Sequence, residues 1–196
     1  MREYDLIADW YSSERSGETG LSETMALASS LAPASRILDI GCGHGIPITR
    51  ALLRAGHTVV GLDSSSAMLE RFRQNLPQTP AIRGVARSCP FASGTFDAAI
   101  AWGVLFHLSR EDQIQAIASV SRVLKIGAPF LFTSGDVDDI EGKDGVMNGV
   151  TFRYYSFSPE SYRRILGEHG FAMTNVHRDN AGNTCYLATK TIDIHD

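Results

Sequence analysis

The chain has 196 residues, of which 43% are hydrophobic, and this is enough apolar surface to bury a core without disulfides or metal ions. Its formal net charge of −4 argues against a protein that coats nucleic acid or an anionic membrane, because both partners need concentrated Lys and Arg. We therefore expect one globular domain over residues 1–196 that contacts neither nucleic acid nor a membrane.

The termini and the cysteines indicate the compartment. Residues 1–10 lack the apolar core of a signal peptide, and the longest apolar run, residues 98–106, is far shorter than a membrane span. Cys42, Cys89 and Cys185 are odd in number and widely spaced, so the sequence predicts neither a disulfide framework nor a zinc site. We expect three thiols, no bound metal and a cytoplasmic protein, while the oligomeric state stays open.

Strand and helix signals alternate along most of the chain. Residues 3–14 and 22–31 are predicted as helices that form a helical cap over residues 1–32. The following elements are predicted as strands at 36–40, 58–62, 80–84, 96–101 and 129–133, and as helices at 47–55, 66–75 and 110–124. Such alternation is typical of an α/β fold with a doubly wound, Rossmann-like, mostly parallel sheet.

The alternation breaks after Ser134. Residues 135–155 are rich in Gly and Asp and are predicted to be irregular; because long irregular segments are often functional, we interpret residues 135–157 as a substrate lid. A helix is predicted from Ser158-Pro159-Glu160 to Gly170. Two runs at 172–177 and 184–189 then predict a C-terminal antiparallel hairpin that brings the sheet to about seven strands.

Three closely spaced glycines lie between the first strand and its helix. Gly41, Gly43 and Gly45 have the spacing G-x-G-x-G, and Ile46 stands where a dinucleotide-binding fold requires its third glycine. The next strand ends at Asp63, whose carboxylate can accept hydrogen bonds from both hydroxyls of a vicinal diol. The sequence therefore predicts a nucleotide cofactor over these glycines.

The segment from Asp39 to Gly45 resembles motif I of the class I S-adenosylmethionine-dependent methyltransferases. The resemblance continues through Pro90-Phe91, residues 94–97, Trp102-Gly103-Val104 and residues 108–111, and it spans about residues 36–133. It implies S-adenosylmethionine as the cofactor, Asp63 on the ribose and Asp39 near the methionine moiety. The implied cofactor-binding residues are Asp39, Gly41, Cys42, Gly43, Gly45, Asp63, Ser64, Met68, Ala86, Arg87, Trp102 and Gly103.

Two segments depart from the family pattern. Many members carry an acidic residue for the adenine amino group near the position of Val85 or Ala86, so adenine recognition is expected to use backbone groups, with Ser88, in this chain. Residues 125–128, Lys-Ile-Gly-Ala, replace the common Lys-Pro-Gly-Gly turn without a consequence for chemistry. Cys42 has no base beside it in the sequence, and we interpret it as a passive thiol.

The acceptor side rests on weaker patterns. His107 follows the fourth strand at the edge where ligands bind, and it is the predicted general base; a structural His bonded to the loop backbone is the alternative. The predicted substrate-binding residues are Tyr11, Arg153 and Tyr155. Arg153 could meet an anionic group or belong to a surface loop anchored by aromatic residues. Tyr4, Trp10, Tyr11 and Arg15 are expected over the cofactor, with ordinary helix packing as the alternative.

These patterns together predict a methyltransferase that uses S-adenosylmethionine to methylate a small-molecule acceptor. The alternatives are an NAD-dependent oxidoreductase, which shares the strand-turn-helix cradle and the ribose carboxylate, and a non-catalytic S-adenosylmethionine-binding module. The sequence does not identify the acceptor, and methylation on oxygen, nitrogen, sulfur or carbon remains open.

Overall fold

A computed structural model describes residues 3–14 and 18–194. The described helices are α1 (Glu3–Glu14), α2 (Leu21–Ser30), α3 (Ile48–Arg54), α4 (Ser66–Asn75), α5 (Arg110–Val123) and α6 (Pro159–Glu168). The strands are β1 (Arg36–Ile40), β2 (Thr58–Asp63), β3 (Ala81–Arg83), β4 (Ala98–Ala101), β5 (Pro129–Ser134), β6 (Asp139–Met147), β7 (Val150–Ser156), β8 (Phe171–Arg178) and β9 (Thr184–Lys190). None of the helices within these described ranges is long and apolar enough to cross a membrane.

Seven strands form one sheet in the order β3-β2-β1-β4-β5-β9-β8. The first five are parallel, and β9 runs antiparallel to both β5 and β8. The predicted mostly parallel α/β sheet with a C-terminal antiparallel hairpin is therefore confirmed. Because β1, β2 and β4 are parallel neighbours, the residues that follow them meet at one edge of the sheet.

The alternation of side chains along β1 divides the core into two layers. Ile37 packs on one face with Leu27 of α2 and Leu52 of α3. Leu38 points to the opposite face, in the cluster that contains Ile117 of α5. A strand buried on both faces needs an apolar run rather than an alternating pattern, and this explains why β1 was visible in the sequence.

The prediction that residues 135–155 are irregular is wrong. This segment forms the antiparallel hairpin of β6 and β7, joined through Asn148 and Gly149. Both turn residues have positive φ, 46° and 76°, as a two-residue hairpin turn requires, and Asn-Gly is the dipeptide that favours it. The strand signal was hidden because β6 is largely exposed and contains glycines and charged residues.

Candidate functional site

The glycine turn lies between β1 and α3, and all three of its glycines have positive φ, where a side chain is strained. A Cβ added to Gly41 would lie 2.1 Å from Cγ2 of Val104, and one added to Gly45 would lie 2.6 Å from Cδ1 of Leu76. A Cβ on Gly43 would meet nothing within 4 Å. Gly41 and Gly45 therefore permit close packing of the turn. At position 43 the positive φ of the backbone, rather than a lack of space, favours glycine.

Asp63 ends β2 directly beside this turn. Its Oδ2 accepts a hydrogen bond from the backbone N–H of Gly43 at 2.9 Å, and its Oδ1 accepts one from the N–H of Ser65 at 2.8 Å. Burial raises the pKa of the Asp63 carboxyl, and the backbone hydrogen bonds oppose that effect. Each carboxylate oxygen keeps further acceptor capacity, so the pair can receive two more donors side by side.

Asp39 lies one strand away and is buried. Its Oδ2 accepts a hydrogen bond from the hydroxyl of Thr49 at 2.5 Å, which ties the end of β1 to the first turn of α3. This contact fixes the two elements that the glycine turn connects, and Asp39 thereby helps to orient the turn.

A cavity of about 280 Å³ opens over the carboxyl ends of these strands. The sequence-predicted residues that line it are Tyr11, Asp39, Gly41, Cys42, Gly43, Asp63, Ser64, Met68, Ala86, Arg87, Trp102, Gly103 and His107. Gly45, Arg153 and Tyr155 lie outside this lining. The structure thus brings most of the predicted site together, and the binding role of each residue stays a prediction.

At one end the cavity is bounded by the 3-10 turn Ala86–Ser88 and the start of α5. Nη1 of Arg87 lies 3.4 Å from Oδ2 of Asp112, so the two charges pair at the rim. Val85 and Ala86 also line this end, where many family members place an acidic residue. Here the cavity therefore offers a flat base the apolar side chains of Val85 and Ala86 beside the paired charges of Arg87 and Asp112.

Cys42 lies in the glycine turn and is buried. Burial raises the pKa of its thiol well above the usual value, and the nearby Asp39 and Asp63 carboxylates raise it further. A thiol held in its protonated form is a poor nucleophile, which supports its interpretation as a passive group.

Helix α1, the first helix of the chain, covers the cavity. Tyr4 and Tyr11 both line the cavity from this helix. Oδ1 of Asp5 accepts hydrogen bonds from the hydroxyl of Ser65 at 2.6 Å and the backbone N–H of Ala67 at 3.0 Å, which fastens α1 to the first turn of α4. Arg15, which was expected in the same cover, lies outside the described residues.

His107 lines the cavity from the 3-10 turn Leu105–His107, which follows β4. Its Nε2 lies 2.9 Å from the hydroxyl oxygen of Tyr4. Its Nδ1 is buried and has no hydrogen-bond partner among the described residues. Burial lowers the pKa of His107 to about 4, so the ring is neutral at physiological pH.

Four aromatic rings surround His107. Their centroids lie 4.6 Å (Phe106), 5.0 Å (Tyr154) and 5.4 Å (Tyr4 and Phe152) from that of the imidazole. We call Tyr4, Phe106, His107, Phe152 and Tyr154 the aromatic cluster. It joins α1, the loop after β4 and β7 at one point.

Sequence reasoning missed the contact between Tyr4 and His107 and the role of β7 in the aromatic cluster. The two contacting side chains are 103 positions apart, and the sequence contains no local signal that pairs them. For β7 the Asn148-Gly149 dipeptide between two short runs was the available signal.

Arg153 and Tyr155, predicted to bind substrate, lie on the hairpin away from the cavity. Nη1 of Arg153 pairs with Asp144 at 3.3 Å on the exposed part of the hairpin. Tyr155 lines a separate, more open pocket between the hairpin and the end of β5. The structure therefore does not bring either residue to His107.

A family model described as a methyltransferase domain matches residues 37–127. An uncharacterised methyltransferase of Synechocystis sp. is 40% identical over 102 residues, which are 52% of this chain and 47% of that protein. The next two curated relatives are covered over 32% and 38% of their length, so the chain spans half or less of the first curated relatives it matches.

Two further relatives cover more of the chain. A ubiquinone/menaquinone biosynthesis C-methyltransferase of Methylobacterium nodulans is 30% identical over 95% of this chain and 84% of its own length. The crystal structure of 1,6-didemethyltoxoflavin-N1-methyltransferase of Burkholderia thailandensis, with bound 1,6-didemethyltoxoflavin and S-adenosylhomocysteine, has a TM-score of 0.70 at 18% identity, over 96% of this chain and 88% of that one. This second likeness establishes a shared fold.

Proposed function

Because this chain belongs to the class I S-adenosylmethionine-dependent methyltransferases, we propose that it binds S-adenosylmethionine over the glycine turn and methylates a small molecule. The observation that carries the proposal is the carboxylate of Asp63, which two backbone N–H groups hold beside Gly43 at the wall of the cavity. A carboxylate fixed in this way presents its remaining lone pairs to two adjacent donors, as a ribose offers.

The cavity fits the cofactor by the chemistry of its lining. The space beside Gly43 is open to a ligand, and the turn exposes backbone groups there. Met68 and Ala86 supply apolar contact for an adenine ring, and Asp39 provides a negative charge for the methionine end, where the cofactor carries an ammonium and a sulfonium. The residues therefore match a ligand with a diol, a flat base and positive charge.

When bound, S-adenosylmethionine supplies a methyl group whose bond to the sulfonium sulfur breaks, with the electron pair left on sulfur, as the acceptor's nucleophilic atom bonds to the methyl carbon. The protein's main task is then to hold the acceptor in line with this methyl, and such positioning contributes about 7–11 kcal/mol in well-oriented reactions. Tyr4 and Tyr11 of helix α1, together with His107, line the cavity and would hold the acceptor there.

We propose that His107 receives the proton that the acceptor loses. The neutral imidazole has a lone pair available at physiological pH, because burial holds its pKa near 4. The proton then passes from the imidazole to water. The low pKa makes His107 a weak base, so its contribution is expected near the lower end of the roughly 10²–10⁴-fold range for general bases.

A small acceptor is favoured over a macromolecule by the closure of the site. Helix α1 lines the cavity with Tyr4 and Tyr11, and Asp5 fastens this helix to α4. The two functionally named relatives methylate different atoms, carbon in one and nitrogen in the other, so they do not specify the acceptor.

Three free cysteines fit a reducing compartment, and we propose the cytoplasm.

Thermal unfolding with two ligands tests the cofactor assignment. At a concentration about 100-fold above its Kd, S-adenosylhomocysteine is expected to add about 2.7 kcal/mol of stability and to raise the Tm by roughly 5–10 °C. NAD at the same concentration is expected to leave the Tm unchanged. A shift with NAD alone would support the oxidoreductase, and a protein that binds S-adenosylmethionine but transfers its methyl to none of a broad set of small acceptors would support the non-catalytic module.

A further inference from the structure

A buried amide connects the loop after β4 to the hairpin of β6 and β7. Gln113 lies near the start of α5 and is fully buried. Its Nε2 donates hydrogen bonds to the backbone carbonyls of Leu108 at 3.0 Å and Tyr155 at 3.1 Å. Its Oε1 accepts a hydrogen bond from the hydroxyl of Tyr162 at 2.6 Å. Both N–H groups of the amide and its oxygen are therefore used inside the protein.

The two carbonyls lie on two of the segments that form the aromatic cluster. Leu108 directly follows His107, and both residues line the cavity. Tyr155 directly follows Tyr154 on β7, and the centroid of the Tyr154 ring lies 5.0 Å from that of the imidazole. Because both carbonyls accept from one nitrogen atom, Gln113 fixes the distance between the turn that carries His107 and β7.

The chemistry of this position requires an amide. Two carbonyls can only accept hydrogen bonds, so the group that faces them must donate twice. A carboxylate in its place would set a negative charge against both carbonyl oxygens. An apolar side chain would take away their donor, and a buried polar group without a partner is unfavourable. An uncharged side chain that donates twice and accepts once has the hydrogen-bonding groups of an amide.

Tyr162 and Ser134 hold the amide from its other side. The hydroxyl oxygens of these two residues lie 2.5 Å apart. The phenol has a single proton, so when Tyr162 donates to Oε1 of Gln113, the hydroxyl of Ser134 donates to Tyr162. Burial raises the pKa of the Tyr162 phenol, which keeps this proton in place. The amide is thereby anchored to α6 and to the end of β5 in the main sheet.

We propose that Gln113 is a positioning residue for His107, because its amide holds the turn that carries the imidazole and the strand β7 against each other. This inference rests on the proposed function, which gives His107 its role at the cavity wall. A purely structural residue would stabilise the fold without a particular effect on the imidazole, and this difference can be measured.

The pH titration of His107, followed by NMR of its imidazole C–H protons, reports how closely the ring is enclosed. In the wild-type protein the midpoint is expected at about pH 4, because burial lowers the pKa of His107. Among the described residues, the titratable groups in ring contact with the imidazole are Tyr4 and Tyr154.

Q113M keeps the approximate volume of the side chain and removes its three hydrogen bonds. We expect the His107 midpoint to rise by about one pH unit or more in this variant, because the released turn and strand admit water to the ring. A midpoint equal to that of the wild-type protein would overturn the proposal.

R122M is the matched control. Arg122 lies on the same helix and also donates to two backbone carbonyls, those of Cys89 and Phe91, both at 2.6 Å. Both variants are expected to lower the Tm, since each removes the donor of two carbonyls. Only Q113M should move the His107 midpoint. An equal rise in R122M would attribute the effect to general loosening of the fold and contradict the proposal.

Hydrogen exchange tests the wild-type protein directly and decides the matter if Q113M does not fold. The side-chain amide protons of Gln113 should exchange with deuterated solvent at least about 100-fold more slowly than those of Gln115. Gln115 lies on the exposed face of the same helix, where its amide bonds to Glu111 at 3.3 Å. Similar exchange at both side chains would show that the amide of Gln113 holds nothing in place, and the proposal would be wrong.

The two proposals fail in different ways. If calorimetry detects no binding of S-adenosylhomocysteine to the wild-type protein, the proposed function is wrong, whatever the titration of His107 shows. If S-adenosylhomocysteine binds and the His107 midpoint does not respond to Q113M, only the positioning role of Gln113 is wrong.

Discussion

The glycine turn and the aromatic cluster both contribute residues to the cavity lining, but they are built on different principles. At the glycine turn, a carboxylate is held by backbone N–H groups, so the polar atoms of Asp63 are fixed before any ligand arrives. At the aromatic cluster, rings from three elements enclose an imidazole that has only one hydrogen-bond partner in the described residues, the hydroxyl of Tyr4. The glycine turn is suited to recognising polar groups, and the aromatic cluster to excluding charge.

This contrast also separates what is local in the chain from what is not. The glycine turn and Asp63 lie within 25 consecutive residues, 39–63, on two adjacent parallel strands. The aromatic cluster is assembled from residues 4, 106, 107, 152 and 154. The glycine turn is therefore encoded by a short local segment, whereas the aromatic cluster depends on contacts between segments that are distant in the chain.

The largest effect is expected at the glycine turn. Replacement of Asp63 by Ala removes two acceptor oxygens from the proposed ribose position, and hydrogen bonds to charged groups contribute about 1.5–3 kcal/mol each. We expect the affinity for S-adenosylhomocysteine, measured by calorimetry, to fall at least about 100-fold. The variant also leaves the backbone N–H groups of Gly43 and Ser65 without their carboxylate acceptor, so part of the loss comes from the glycine turn itself.

Asp97 offers a matched control for this variant. It is also a carboxylate that accepts a backbone N–H, from Arg36 at 2.8 Å, but it lies near the amino-terminal ends of the strands and pairs with Lys125. D97A should cost some stability and leave S-adenosylhomocysteine affinity within about two-fold. If D63A binds as tightly as D97A, the ribose role of Asp63 is wrong.

The same contrast explains how far the sequence could predict this fold. The parallel core was predictable because β1, β2 and β4 are short apolar runs separated by glycine turns and amphipathic helices. The hairpin of β6 and β7 escaped because it stands apart from the main sheet, and its exposed strand carries no apolar alternation. Its only strong signal was the turn dipeptide Asn148-Gly149.

The site divides in the same way. Asp63 and the glycines follow from spacing, since the chemistry of a diol and a tight turn restricts which residues fit. The position of His107 after β4 was also visible, but its neighbours were not. Contacts such as Tyr4 with His107 depend on how α1 crosses the sheet edge, which no local pattern encodes. Arg153 lies outside the cavity lining and pairs with Asp144 within the hairpin, and its substrate role stays a prediction.

A second prediction concerns the unfolding free energy that the burial of His107 costs at low pH. The pKa of His107 is lowered from 6.5 to about 4, so between these values the unfolded chain takes up a proton that the folded protein does not. Stability is therefore unaffected above pH 6.5 and lost as the pH falls below it. Between about pH 7.5 and about pH 5, urea unfolding should show a loss of about 2 kcal/mol from this residue.

The loss of unfolding free energy attributed to His107 is isolated by comparing the wild-type protein with H107F. H107F cannot take up this proton, so its stability should fall less than that of the wild-type protein over the same pH interval, by the amount stated. Comparison of the two proteins cancels the contributions of all other titrating groups. Parallel pH profiles for wild type and H107F would mean that the imidazole is not shielded from water, and the charge-excluding character of the aromatic cluster would be refuted.

The smallest effect is expected for changes in helix α1, which contributes side chains to both the aromatic cluster and the cavity wall. Helix α1 carries Tyr4 to the aromatic cluster and Tyr11 to the cavity wall, and Asp5 fastens this helix to α4 through the hydroxyl of Ser65 and the N–H of Ala67. D5A should loosen the helix and weaken S-adenosylhomocysteine binding by about five-fold, roughly 1 kcal/mol. The neighbouring D9A removes only an ion pair with Arg71 in which the Asp side chain is 96% exposed, and such pairs contribute about 0–1 kcal/mol. Calorimetry measures the affinity of both variants for S-adenosylhomocysteine and so separates the two contacts. Equal losses of affinity in D5A and D9A would show that α1 is held by general charge attraction rather than by the hydrogen bonds of Asp5 to α4.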